Sequence, residues 1–211
     1  NNFYLFNYLF VSFCLIILIN GSNFIDGLNG LCLGYYLLII YFILENNFNF
    51  TLFNGDKNLI TFTLSLCVIL IYNFLNKLFI GDNGSYILAV LLGISLIQIY
   101  NENNSISSFY IILLLWYPCF ELLFSMLRKF KLKVSVMDAD NSHLHHYLIN
   151  KFTNKQALII YFSAVNIPII MSLYTSVNKI YIIMLTILVY IFFIFYYNHF
   201  LKKTHVKKKN R

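Results

Sequence analysis

The sequence predicts an all-α, polytopic integral membrane protein of about seven transmembrane helices, and three observations predict it. Of the 211 residues, 60% are hydrophobic and 11% charged, against roughly 45–50% and about 25% in an ordinary soluble domain. The mean hydropathy of +0.72 is more than a soluble chain of this length could bury, because core volume grows slowly with length. The apolar residues fall in seven runs, about 3–19, 28–44, 59–76, 86–100, 106–127, 156–175 and 179–200. The runs are continuous rather than alternating, which favours helices over a membrane barrel.

The first run lacks the basic n-region and small-residue cleavage site of a secretory signal, so it reads as a span. It gives way to a polar hinge, Asn20-Gly-Ser-Asn23-Phe-Ile-Asp26-Gly27-Leu-Asn29-Gly, before the second run. Most runs approach the ~20 residues that a helix needs to cross a bilayer core. The fourth is short, opens on Phe79-Ile-Gly81-Asp82-Asn83-Gly84-Ser85, and is expected to extend into its flanks. The fifth carries Pro118 and Glu121 and leads into the one long polar stretch, which contains Asp138-Ala-Asp140-Asn-Ser-His143-Leu-His145-His146. Cys14, Cys32, Cys67 and Cys119 all lie inside apolar runs with neither zinc-like nor disulfide-like spacing, and read as buried small hydrophobes.

Charge orients the chain. Seven spans make the connectors alternate sides. One set, residues 20–27, 77–85, 128–155 and the tail from 201, holds thirteen of the fifteen Lys and Arg, six of them in the tail; the other holds only Lys57 and Lys179. By the positive-inside rule the first set is cytoplasmic. All three polar motifs therefore fall on the cytoplasmic side, one per connector. The basic tail reads as an anchor near anionic headgroups, not a nucleic-acid patch.

Charge and imidazole at membrane boundaries are costly unless they serve something. Asp82, in a glycine-bearing turn at a helix start, would repel a phosphate unless a cation lay between them. Mg²⁺, commonly held by one or two carboxylates plus substrate phosphates, is the natural choice; a turn or N-cap role is the bland alternative. Asn23 and Asp26 are three residues apart, so a helical turn would put both on one face, and an Asn amide both donates and accepts; a cap at a helix junction would explain them too. His143, His145 and His146 could be zinc ligands, general acid–base groups or phosphate binders. Zinc needs three or four ligands, and the cysteines lie within the spans, so a structural zinc site is disfavoured. Nearby basic residues and Asp140 suit imidazoles that contact phosphate oxygens. The Arg128–Lys133 run is either an orientation signal or a contact to a lipid phosphate, and Glu121, near the end of the fifth span, is open to an ion pair or a functional role.

Together the three motifs resemble the polyprenyl-phosphate N-acetylhexosamine-1-phosphate transferase family, which includes the phospho-MurNAc-pentapeptide transferase. That family carries Asn-x-x-Asp-Gly-x-Asp/Asn-Gly-Leu, Phe-x-Gly-Asp-x-Gly-Ser and a late Asp-x-x-His-x-His-His, matched here in order from Asn23, Phe79 and Asp140. The resemblance implies transfer of a sugar 1-phosphate from a UDP-N-acetylhexosamine to polyprenyl phosphate with release of UMP, at the cytoplasmic face of the inner membrane, in starting cell-envelope glycans such as O-antigen. It implies Asp82 as the ligand of Mg²⁺ (Mn²⁺ being the alternative). Catalytic roles would fall to Asp26, Asp82, His143, His145 and His146. Phe79 would pack on the uracil, and Asn23, Gly27, Asn29 and Asn73 would line the nucleotide site. Membrane lipids, and a second copy of the chain in a homodimer, complete the implied partners. The His-x-His-His form is similar to the GlcNAc-type, O-antigen-initiating branch; the pentapeptide transferase has three consecutive histidines followed by Phe-Glu, absent here.

One departure bears on activity. The family has an adjacent Asp-Asp pair in an earlier cytoplasmic loop and ten or eleven spans, whereas this chain begins with Asn and contains no Asp-Asp. Residues 1–211 are then expected to be a single transmembrane transferase domain lacking its N-terminal third, and a catalytically inactive relative retained for binding or assembly is a rival reading. A transporter is a second rival. It would place ionisable residues or Gly/Pro breaks in mid-span, while most acidic residues here cluster at span ends.

Overall fold

In a computed structural model of the protein, the backbone is described for residues 2–46, 56–103, 106–135 and 143–209, with side chains over 5–46, 57–103, 106–135 and 143–194. The described residues form helices α1 (Asn2–Ile25), α2 (Leu31–Glu45), α3 (Asp56–Phe74), α4 (Gly81–Glu102), α5 (Ser108–Leu132), α6 (Leu144–Ile149), α7 (Asn154–Tyr174) and α8 (Lys179–Lys209). Each of the seven apolar runs lies in a helix. The six-residue α6 is an addition, formed within the polar stretch that carries the histidines.

Among the described residues, five helices are long and apolar enough to cross a membrane: Leu5–Ile25, Lys57–Phe74, Gly81–Glu102, Ser108–Leu132 and Asn154–Tyr174. The apolar helix Leu31–Glu45, and the stretch Lys179–Ile194 of α8 over which side chains are described, are shorter than these. With 15 residues, α2 spans about 22 Å at the helical rise, short of the ~30 Å hydrocarbon core. It buries Leu31, Cys32, Tyr35, Tyr36, Ile39, Ile40 and Ile43, and a helix that is apolar nearly all round belongs in the interior of a bundle.

Two helix boundaries differ from the apolar runs for a local reason. α1 continues past residue 19 to Ile25, because Asn20 returns its amide to the Ile16 carbonyl at 2.8 Å and Ser22 its hydroxyl to the Leu18 carbonyl at 2.7 Å. α4 extends in both directions from its apolar run and places Asp82 in its first turn.

α1 packs along α4 and α5, α2 against α3, and α5 against α7 and α8. The α1–α5 crossing is close at Gly21, where a β-carbon would lie 2.2 Å from the Pro118 carbonyl oxygen; small residues of this kind let membrane helices approach. Pro118 cannot donate to the carbonyl four residues earlier, and the Tyr35 hydroxyl takes that place, donating to Leu114 O at 2.5 Å. Outward faces are as apolar as the interior: Leu5, Phe6 and Leu9 on α1, Leu64 and Val68 on α3, and Leu188 and Phe192 on α8 are all exposed. Apolar patches on this scale need a non-aqueous surrounding, so the chain is a multi-pass membrane protein. The cysteines are free thiols; Cys32 is buried, but Cys14, expected to be buried, is exposed on α1.

Candidate active site

At one end of the bundle, the last turn of α1, the first turn of α4, the final part of α5 and the start of α6 converge on a cavity of about 730 Å³. Its polar lining comprises Asn20, Asn23, Asp26 and Gly27 from α1 and the turn after it, Asp82 from α4, Lys129 from α5, and His143, His145 and His146. Phe13, Ile16, Ile17, Leu122, Leu123 and Met126 continue the wall down into the apolar bundle. Three motifs spread over more than a hundred residues of sequence thus share one cavity, with polar residues from the helix ends and apolar residues from deeper in the helices.

The α1 side is organised by backbone. Asn23 lies in the last helical turn, and the Asp26 N–H bonds to its carbonyl at 3.2 Å, so the helical turn expected to put both residues on one face is present. The Asn23 amide donates to the Tyr86 hydroxyl at 3.3 Å, tying α1 to α4. Gly81 has φ of +64°, a left-handed conformation that glycine adopts without penalty. Burial, followed by the charge of Asp82, pushes the Asp26 carboxyl up to about 6, against a smaller opposing pull from the Gly81 backbone N–H. A carboxyl whose proton affinity is raised by a neighbouring carboxylate marks excess negative potential.

The histidine side is buried. His143 and His145 are almost fully enclosed and lie parallel, with ring centroids 5.7 Å apart; Phe24 packs on His143 at 4.8 Å. His143 Nδ1 lies 3.1 Å from Glu121 Oε1. Burial, then the neighbouring His146 and His143, push His145 down to about 3, so its ring is neutral near pH 7. This differs from three alike, polarised imidazoles: His145 is a neutral ring whose two nitrogens have no partner among the described residues. Gly27 is required here, since a β-carbon would stand 2.2 Å from His145 Nε2. Asp140 lies outside the described residues.

Three expected site residues fall outside this cavity. Asn73 is 2% exposed; it accepts from the Gly30 N–H at 2.5 Å and donates to Leu78 O at 2.9 Å. The Asn29 amide donates to Asn76 Oδ1 at 2.5 Å. Both contacts therefore clasp the turn after α1, which carries Asp26, to the end of α3 and the segment that leads into α4 and Asp82. Phe79 is 71% exposed and is not part of the cavity wall. In exchange the cavity gains Lys129, buried and from a run read as an orientation signal or lipid-phosphate contact, and Asn20, which the sequence left as a hinge residue. A buried lysine at the end of a span was the available signal for the first.

Among the described residues, no three His, Cys, Asp or Glu side chains converge as a ready-made metal site. The donor set nevertheless fits a hard cation: Asp26 and Asp82 supply hard oxygen ligands beside a cavity large enough for a phosphorylated molecule, whose own oxygens would complete the shell.

Residues 1–100 match the sequence profile of glycosyl transferase family 4, a stretch that includes Asn23, Asp26 and Asp82 but ends before the histidines. The chain is 35% identical over 138 residues to a protein of Bacillus subtilis (strain 168) named as a probable undecaprenyl-phosphate N-acetylglucosaminyl 1-phosphate transferase, covering 62% of this chain and 37% of that one. It is 26% identical over 144 residues to the undecaprenyl-phosphate alpha-N-acetylglucosaminyl 1-phosphate transferase of Thermotoga maritima (strain ATCC 43589 / DSM 3109 / JCM 10099 / NBRC 100826 / MSB8), covering 68% and 43%. The chain therefore spans less than half the length of these curated relatives. No solved structure matches it significantly.

Proposed function

We propose that the chain belongs to glycosyl transferase family 4, on the match of residues 1–100 and the likeness to the two curated relatives, and that its protein transfers N-acetylglucosamine 1-phosphate, or a related N-acetylhexosamine 1-phosphate, from the UDP-sugar to polyprenyl phosphate. A lipid phosphate oxygen attacks the sugar-bearing phosphorus and forms a new P–O bond. The bond from that phosphorus to the bridging oxygen breaks, and UMP leaves with that oxygen. The observation that carries this reading is the single cavity joining two carboxylates, a buried lysine and three histidines at the end of an apolar bundle.

Asp82, with Asp26, would hold Mg²⁺ or Mn²⁺. When bound, the cation supplies charge neutralisation of the pyrophosphate and of the leaving group. Lys129 and the histidines surround the phosphates from the opposite wall, where donors in a water-poor cavity stabilise developing charge most effectively. The apolar wall below them gives a route for an isoprenoid chain out of the bilayer. Asn23 recognises polar edges of the donor at the mouth. We place the site on the cytoplasmic face of the inner membrane, with α2 and α8 completing seven spans, and the product at the start of an O-antigen-like envelope glycan.

The testing experiment is Mg²⁺-dependent UMP release by the intact gene product in lipid nanodiscs, with wild type and Asp82→Asn compared. The variant is expected to insert normally and to release no UMP; wild-type turnover by it would sink the metal assignment. The alternative outcome is a relative that binds donor or lipid without transfer. Donor binding by wild type with no UMP release would select that reading.

A further inference from the structure

We propose that Glu121 is a positioning residue that fixes the ring orientation and tautomer of His143, keeping the proton on Nδ1 and presenting Nε2 to the cavity; the inference rests on the phosphate role proposed for His143. Glu121 lies on α5 and is 2% exposed. A carboxylate in such a place is costly unless donors surround it, and three do, two from the start of α6 and one from α8. His143 Nδ1 at 3.1 Å and the Leu144 backbone N–H at 2.8 Å both meet Oε1, while the Tyr190 hydroxyl of α8 donates to Oε2.

The geometry separates a positioning role from simple charge burial. One oxygen holds the imidazole edge and the very next backbone N–H, so it fixes both the ring and the entry to α6. Phe24 and His145 pack against the same ring, at 4.8 and 5.7 Å between centroids, which leaves little freedom to rotate. An ionised carboxylate only accepts, so the nitrogen facing it must carry a proton whether the ring is neutral or cationic. Nε2 is then the atom left to meet a phosphate oxygen. Tyr190 does not line the cavity, yet through Glu121 it braces the histidine wall from α8, itself packed between Trp116 and Phe124.

The test combines ¹⁵N-histidine NMR with kinetics on the intact gene product in nanodiscs, using His143→Ala to assign the His143 signals. Wild type is expected to show His143 protonated at Nδ1. Glu121→Gln keeps the size and a carbonyl acceptor, but its NH₂ can instead donate to Nδ1, so the single tautomer is expected to become a mixture. In UMP release, Glu121→Gln should lower kcat by about 10–100-fold, the usual cost of losing a partner that orients a functional histidine, with KM unchanged. The Glu121→Gln/His143→Ala pair should lose no more than His143→Ala alone. A wild-type His143 that is unprotonated at Nδ1 overturns the inference even if the variant does not fold. So does an unchanged tautomer in Glu121→Gln, or additive losses in the pair. Absence of UMP release by wild type would remove the proposed function instead, while the NMR result would still decide the role of Glu121.

Discussion

The two walls of the cavity are built in opposite ways. The carboxylate wall is open: Asp82 is exposed in the first turn of α4, and Asp26 is half-buried on a turn that Asn29 and Asn73 tie to the end of α3. The histidine wall is buried, with rings packed on one another and on Phe24 and an edge held by Glu121. The first wall carries negative charge that a cation from solution would relieve. The second is finished by the protein itself, apart from the unpartnered nitrogens of His145. The lesson is a division of labour: one wall is completed by what binds, the other is pre-set.

That contrast breaks most visibly at Asp82. Asp82→Asn should lower UMP release by roughly 10³-fold or more, the equivalent of several kcal/mol of charge stabilisation, with folded yield unchanged because the side chain is exposed. A thermally unstable variant would show that the open wall is structural. On the pre-set wall, His143→Ala or His146→Ala should cost on the order of 10²–10³ in rate. A zinc chelator that spares Mg²⁺ should do little; stoichiometric zinc in the preparation would refute the phosphate role.

Gly27→Ala tests where the walls touch. Its β-carbon would collide with His145 Nε2, and a displacement on the ångström scale can cost on the order of 10²-fold. Retention of full activity would mean that His145 is free to move. The smallest effect concerns pH. The Asp26 carboxyl is raised to about 6 from an ordinary value of 3.8, so the folded protein binds that proton more tightly than the unfolded chain. The stabilisation is full below the ordinary value and is lost as pH rises through the raised one. The metal-free Tm should therefore fall between about pH 4 and pH 6, and Asp26→Asn should flatten that dependence. An equal fall in the variant would assign it to another group.

Much of this arrangement is legible in the sequence, for physical reasons. Asp26, Asp82 and the histidines stand out because polar groups at the ends of apolar runs are costly, and charge asymmetry places their connectors on one side. What stayed hidden depends on contacts across the chain. Asn73, which the resemblance implies at the nucleotide site, has its amide oxygen on the Gly30 N–H, 43 residues away, a contact that no sequence pattern announces. Phe79 carries a motif position but faces outward. Glu121 is visible as an acid near a span end, but its meaning comes from Tyr190, 69 residues later. Length is the other limit. Hydropathy stops α1 at residue 19, since it does not register asparagine and serine side chains that satisfy themselves on their own helix.

The most direct test of the two-wall account is equilibrium binding of UDP-N-acetylglucosamine to the intact gene product across a Mg²⁺ titration, in wild type, Asp82→Asn and His143→Ala. The account predicts wild-type binding that requires Mg²⁺, no Mg²⁺-dependent binding in Asp82→Asn, and weakened binding that still responds to Mg²⁺ in His143→Ala. Binding that ignores Mg²⁺, or that survives unchanged in Asp82→Asn, would contradict it.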